Sequence, residues 1–267
     1  MPATLGTALV TGASTGIGAT YADRLAKRGY DLILVARDLA KLEALAARLT
    51  ADTGVKVRPL KADLTDRQDL LAVETILRED AGITLLVNNA GIAALGPFAT
   101  GDIDLQEKVI DLNVVALTRL TGAVVPAFLA RGKGAIVNIA SVLAFGHDVS
   151  PGVYSATKSY VLTFSRGLNV ELAGRGVHVQ AVLPAATRTE IWEKSGLSAD
   201  SLPPGSVMGV DDLVDAALVG FDKGELVTLP SLPDEALWRV FDQARRALMS
   251  DVRHDRPAER YREPVDV

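Results

Sequence analysis

Thr11-Gly12-Ala13-Ser14-Thr15-Gly16-Ile17-Gly18 follows directly on the apolar run 5–10, which reads as a buried strand. After the turn, Ile17, Tyr21, Ala22, Leu25 and Ala26 recur at helical spacing, and Gly29 is a stop signal. The order is strand, glycine-rich turn, helix. Glycines allow a tight turn and let backbone N–H groups approach a phosphate at the helix N-terminus. With a second strand at 31–35, this is the first half of a dinucleotide-binding βαβ unit. Gly12-Ala13-Ser14-Thr15-Gly16 also satisfies G-x-S-x-G, the nucleophile elbow of another α/β architecture. That reading needs an earlier strand loop for the oxyanion hole, and only one strand precedes Ser14.

Working outward, the second strand ends in Val35-Ala36-Arg37. An acidic residue there would bind the adenosine ribose hydroxyls of NAD. Ala36 offers no acceptor, and Arg37 can pair with a 2′-phosphate, so the pattern points to NADP. A helix over 38–50, a strand over 55–60 and a helix over about 66–80, capped by Thr65, come next. Asp63 is a turn residue or an acceptor for the adenine amino group. A fourth strand, 83–87, runs into Asn88-Asn89-Ala90-Gly91 at the edge where open parallel sheets bind ligands. Asn113 lies among apolar residues in a long helical region, 104–130, and needs a partner, either a local carbonyl or a water. Strands over 134–140, 176–183 and 225–229 complete the alternation, the fifth ending in Ser141. The chain therefore reads as α/β: one doubly wound parallel sheet of about seven strands, helices on both faces, in a single domain spanning 1–267.

Tyr154-Ser155-Ala156-Thr157-Lys158 places a phenol and an amine at i and i+4, on one helix face. A neighbouring cation is expected to lower the Tyr154 pKa from its usual value of about 10. A phenol tuned in this way can exchange a proton with a carbonyl oxygen or an alcohol.

Composition removes other classes. The 267 residues carry a net charge of −5 with dispersed basic residues, against a nucleic-acid groove. There is no Cys, and the three His (His147, His178, His254) are far apart, so no metal site is expected. The N-terminus lacks a basic n-region and no apolar run reaches 18 residues, so the expected location is the cytoplasm.

Taken together and in order, these stretches resemble the short-chain dehydrogenase/reductase family in its short, single-domain Rossmann form, over about residues 5–190. Thr11–Gly18 resembles its TGxxxGxG turn and Asn88–Gly91 its NNAG motif. Ser141 stands 13 residues before Tyr154, as in the family. The resemblance implies an NADP(H)-dependent oxidoreductase working on a carbonyl/alcohol pair, with NAD(H) less favoured. It implies a catalytic set of Asn113, Ser141, Tyr154 and Lys158. Tyr154 would be the acid or base, Lys158 would tune it and hold the nicotinamide ribose, Ser141 would bind the substrate oxygen, and Asn113 would fix a relay water. It places the cofactor against Gly12, Ser14, Thr15, Gly16, Ile17, Gly18, Arg37, Asp63, Leu64, Asn89, Ala90, Gly91, Tyr154, Lys158, Pro184, Thr187 and Thr189. Two departures stand out: Pro184-Ala185 replaces the usual Pro-Gly, and no basic residue precedes Gly16, so NADP preference rests on Arg37.

The substrate side offers Leu143, Phe145 and His147, then Ile191, Trp192 and Leu197 in a lid over about 190–208. These apolar walls suit a fairly hydrophobic small molecule. Residues 233–267 read as a helix and a charged tail. The family resemblance implies a homodimer or homotetramer. The alternative is a non-catalytic dinucleotide-binding sensor or structural protein on the same fold, whose signature would be loss of Tyr154 or Lys158.

Overall fold

A computed structural model describes residues 5–94, 97–146, 148, 152–189 and 202–262. Among them run seven strands: β1 (Thr7–Thr11), β2 (Asp31–Ala36), β3 (Val57–Lys61), β4 (Ile83–Asn88), β5 (Gly134–Ile139), β6 (Val177–Val182) and β7 (Val227–Thr228). All pairings are parallel, in the order β3-β2-β1-β4-β5-β6-β7. The sequence therefore steps one way from β1 to β3, then restarts on the other side of β1 at β4. The connections leaving β1 and β4 diverge, which opens a crevice at the carboxyl ends of the strands.

Strand side chains alternate between faces, so each strand feeds two cores. Ala8, Val10, Leu32, Leu34, Leu85 and Val87 face α1 (Gly16–Lys27), α2 (Leu39–Thr53) and, further along the sheet, α7 (Val210–Asp222). Leu9, Ile33, Val35, Leu86 and Ile136 face α3 (Arg67–Glu79), α5 (Leu117–Arg131) and α6 (Val153–Glu171). Each fully buried Leu or Val contributes about 1.5–3 kcal/mol of transfer free energy. Burial on both sides explains why the central strands read as continuous apolar runs.

Three local features refine the sequence reading. The N-cap of α3 is Asp66 instead of Thr65. The Asp66 carboxylate accepts from the N–H groups of Gln68 and Asp69 at 2.8 and 3.0 Å. Thr65 turns back and donates its hydroxyl to Asp63 at 2.7 Å. A carboxylate suits the position better because the helix N-terminus carries partial positive charge. Second, α4 (Ile103–Ile110) does not pass straight into α5; residues Asp111–Ala116 form a π-helical turn between them. Third, the stretch Ile103–Arg131 has the length and composition of a membrane span, yet Leu120, Val124 and Phe128 are buried against the sheet. A core helix passes the same test.

Residues up to Ser231 make one compact unit and Leu232–Val267 a second, much smaller one. In the latter, α8 (Glu235–Asp251) is capped by Asp234, and Asp242 pairs with Arg245 and Arg246. One helix and a short turn are too small to build a core of their own.

Candidate active site

The carboxyl edge collects four segments: the turn after β1, the residues after β4, Ser141 after β5, and Pro184–Thr189 after β6. Gly12 and Gly16 have φ of 64° and 56°, the left-handed region in which a side chain is strained. A Cβ on Gly18 would stand 2.3 Å from the Gly12 carbonyl oxygen and 2.5 Å from Asn89 Nδ2. Asn89 closes on the turn from β4. Its carboxamide donates to the carbonyls of Thr11 and Gly12 at 2.9 and 3.1 Å, and the Thr11 hydroxyl accepts from the N–H groups of Asn89 and Ala90. The turn is thus braced from below. Its top is open: Thr15, the residue before α1, makes no side-chain cap bond, and the first turn of α1 holds no acidic residue. That leaves backbone N–H groups and a partial positive charge facing the crevice. Thr189 reaches the same place, its Cγ2 3.5 Å from where a Cβ on Gly16 would sit.

At the end of β2, Arg37 is exposed. Asp63, after β3, is nearby. Burial alone would raise its pKa, but hydrogen bonds from Thr65 and the Arg37 charge hold it below the usual carboxylate value. Leu64 is a core side chain, so only its backbone faces outward. Ile17 also packs partly on the core.

Ser141, Tyr154, Lys158 and Asn113 come together beyond β5. The Ser141 hydroxyl donates to the carbonyl of Pro184 at 3.3 Å and accepts from the Leu143 N–H at 3.1 Å, and it is close enough to the Tyr154 phenol to act on its ionisation. Lys158 is buried. Its Nζ donates to the carbonyl of Ile139 at 2.9 Å and lies 5.6 Å from the centroid of the Tyr154 ring. Behind it, the Asn113 carboxamide pairs with the backbone of Ile92. Oδ1 accepts from the Ile92 N–H at 3.0 Å, and Nδ2 donates to the Ile92 carbonyl at 2.9 Å. The π turn is what swings Asn113 to this position. A Cβ on Gly91 would stand 3.1 Å from Asn113 Oδ1 and 3.7 Å from Lys158 Nζ, so this glycine keeps the space between them clear.

The electrostatics differ from the sequence expectation. Burial pushes the Tyr154 phenol up to about 12, opposed by the nearby Ser141 hydroxyl. Burial also pulls the Lys158 amine down to about 8. The spacing foretold proximity and therefore a lowered phenol. Desolvation wins instead, because the amine sits buried over the ring and favours its own neutral form.

Leu143 follows Ser141 in a short 3-10 turn (Val142–Ala144), and Phe145 is partly exposed just beyond it. His147, Trp192 and the rest of 190–201 lie outside the described residues. After β6, Thr187 bridges to Met208 and donates its hydroxyl to the Ala185 carbonyl at 3.0 Å. Sequence reasoning missed three groups that touch the site: the backbone of Ile92, the Ile139 carbonyl and the Thr157 hydroxyl. Periodicity carries no signal for backbone partners.

Comparison with known proteins agrees with this geometry. The sequence profile described as short chain dehydrogenase matches residues 6–199. A very-long-chain 3-oxoacyl-CoA reductase from Anas platyrhynchos is 37% identical over 201 residues, covering 74% of this chain and 64% of that protein. The chain thus spans slightly under two thirds of that relative's length. A short-chain dehydrogenase from Sphingobium yanoikuyae, solved in complex with NADPH, is 56% identical, with a TM-score of 0.94 over 97% of this chain and all of that one. A bulky-bulky ketone specific alcohol dehydrogenase from Comamonas testosteroni is 49% identical, with a TM-score of 0.90 over 97% and 99%. With the profile running through both the glycine turn and the Tyr154–Lys158 helix, the chain belongs to the short-chain dehydrogenase/reductase family.

Proposed function

We propose that the protein is an NADP(H)-dependent oxidoreductase for ketones carrying two bulky, largely apolar substituents, and that Tyr154 delivers the proton. The observation that carries this reading is the convergence of Tyr154, Lys158 and Asn113 at the crevice: the Lys158 amine lies 5.6 Å from the centroid of the Tyr154 ring and Asn113 is anchored to Ile92 and to the same helix directly behind it. The open α1 N-terminus, the braced glycine turn and Thr189 fit a pyrophosphate and nicotinamide along the same edge. Bound there, the dinucleotide supplies the hydride.

The chain's own groups do the rest. Ser141 donates a hydrogen bond to the substrate oxygen and holds it beside the Tyr154 hydroxyl. Tyr154, protonated throughout the neutral range because burial raises its pKa, gives its proton to that oxygen as negative charge develops. Burial pulls the Lys158 amine down to about 8, so that it can relay a proton toward the phenol near neutral pH. Asn113 holds the space on the far side of Lys158 for a proton-carrying water. Support for a bulky ketone comes from the apolar Leu143 and Phe145 and from the described specificity of the Comamonas testosteroni relative. The non-catalytic alternative required loss of Tyr154 or Lys158, and both residues are present.

Arg37 would select NADP by pairing with the 2′-phosphate. Arg37→Ala should weaken NADPH binding by about tenfold to a hundredfold, the effect of losing charge-assisted hydrogen bonds, and leave NADH affinity unchanged. Titration by nicotinamide fluorescence reads both. Equal loss for the two cofactors, or no loss, would remove Arg37 from this role.

For the subunit contact we favour the outer face of α5 and α6. Val115, in the π turn that leads into α5, and Tyr160 and Val170 of α6 are exposed there. Light scattering should report a dimer or tetramer that Val170→Glu weakens; a monomeric wild type would end this assignment.

A further inference from the structure

We propose that Thr157 is a positioning residue that fixes Asn113 relative to the Tyr154–Lys158 helix; the proposal rests on the site reading given above. Thr157 is 3% exposed and lies one residue before Lys158. Its hydroxyl donates to the Tyr154 carbonyl at 2.7 Å and accepts from Asn113 Nδ2 at 3.1 Å. With its proton committed to a carbonyl, the oxygen presents only lone pairs to Asn113, so it must meet the amide NH₂. Both Nδ2 hydrogens are then used, one on the Ile92 carbonyl and one on Thr157. Oδ1 has one lone pair on the Ile92 N–H and another left over on the side of Gly91 and Lys158. Ile92 ties the amide to the strand side of the crevice. Thr157 is the link that ties the same amide to the first turn of α6, where Tyr154 sits. Without it the π turn and α6 keep their packing but lose the shared hydrogen bond that sets the gap between Asn113 and Lys158.

The test is a mutant cycle on the full chain with NADPH and whichever bulky ketone the wild type reduces fastest. Thr157→Val keeps the shape and removes the hydroxyl; Thr157→Ser keeps the hydroxyl. Thr157→Val should lower kcat about tenfold, with KM and NADPH affinity within about twofold, and Thr157→Ser should recover most of the rate. Because Thr157 acts through Asn113, Thr157→Val should add little to the loss already caused by Asn113→Ala. Wild-type kcat in Thr157→Val, equal losses in the Val and Ser variants, losses that add across the cycle, or failure of Thr157→Val to bind NADPH would each overturn the proposal. Tyr154→Phe in the same assay separates the two levels: if it turns over normally the site reading itself fails, whereas a dead Tyr154→Phe beside a normal Thr157→Val removes only Thr157.

Discussion

Tyr154→Phe should lower kcat for ketone reduction by roughly 10³-fold, within the range expected for losing a positioned general acid. NADPH affinity should stay within about threefold, because the ring under Lys158 remains. The substitution deletes one oxygen. Ser141 keeps its bonds to the Pro184 carbonyl and the Leu143 N–H, so the fold has little reason to change. The phenol is held near 12, so the wild-type proton supply should not fail at alkaline pH until well above neutrality. Steady-state kinetics with a parallel nicotinamide fluorescence titration checks the result. A Tyr154→Phe enzyme within tenfold of wild type would mean that another group delivers the proton.

The second large effect is expected at Lys158, where activity and stability should move in opposite directions. Burial lowers its pKa from 10.5 to about 8 in the folded chain. Between those values the unfolded chain binds more protons than the folded one, so this group makes stability rise with pH across pH 8–10.5. Below pH 8 the folded state carries the full cost of a buried cation, roughly 3 kcal/mol by the same linkage. Lys158→Met removes that cost but leaves the Ile139 carbonyl without its donor, a loss of about 1–2 kcal/mol. The cofactor-free variant should therefore be about 1–2 kcal/mol more stable than wild type at pH 7, and the gain should vanish as pH approaches 10. Activity should fall by at least about 10²-fold, since proton tuning is lost with the amine. Urea denaturation at several pH values, kept below the range where Tyr154 titrates, measures the first part. A variant less stable at pH 7, or a gain independent of pH, would show that Lys158 is not a strained buried cation.

Much of the fold was legible because the signals were periodic or chemical. The apolar runs at 31–35 and 83–87 became central strands with boundaries moved by one residue, since burial on both faces needs continuous apolar sequence. The glycine turn was legible because only glycine fits the φ values at Gly12 and Gly16. The α3 cap was missed by one position because Thr65 and Asp66 are both good caps in isolation, and the carboxylate wins on charge. The π turn at Asn113 was illegible: apolar residues recur on through 110–117 as they would in an ordinary helix, and the partner that Asn113 reaches, Ile92, lies 21 residues away. The direction of the Tyr154 shift was missed for a related reason. Sequence spacing gives proximity along a helix, but desolvation depends on everything packed around the pair. Thr157 reads as an ordinary helical threonine until the Asn113 amide is found against it.

The most direct measurement is NADPH consumption by the purified wild-type protein against a panel of ketones graded by the size of both substituents, followed by the near-ultraviolet absorbance of the reduced nicotinamide. Turnover should rise as both substituents grow, with one NADPH consumed per alcohol formed, and should be lost in Tyr154→Phe. A protein that binds NADPH tightly yet reduces no member of the panel, or that consumes NADPH equally well with Tyr154→Phe, would contradict the proposed function.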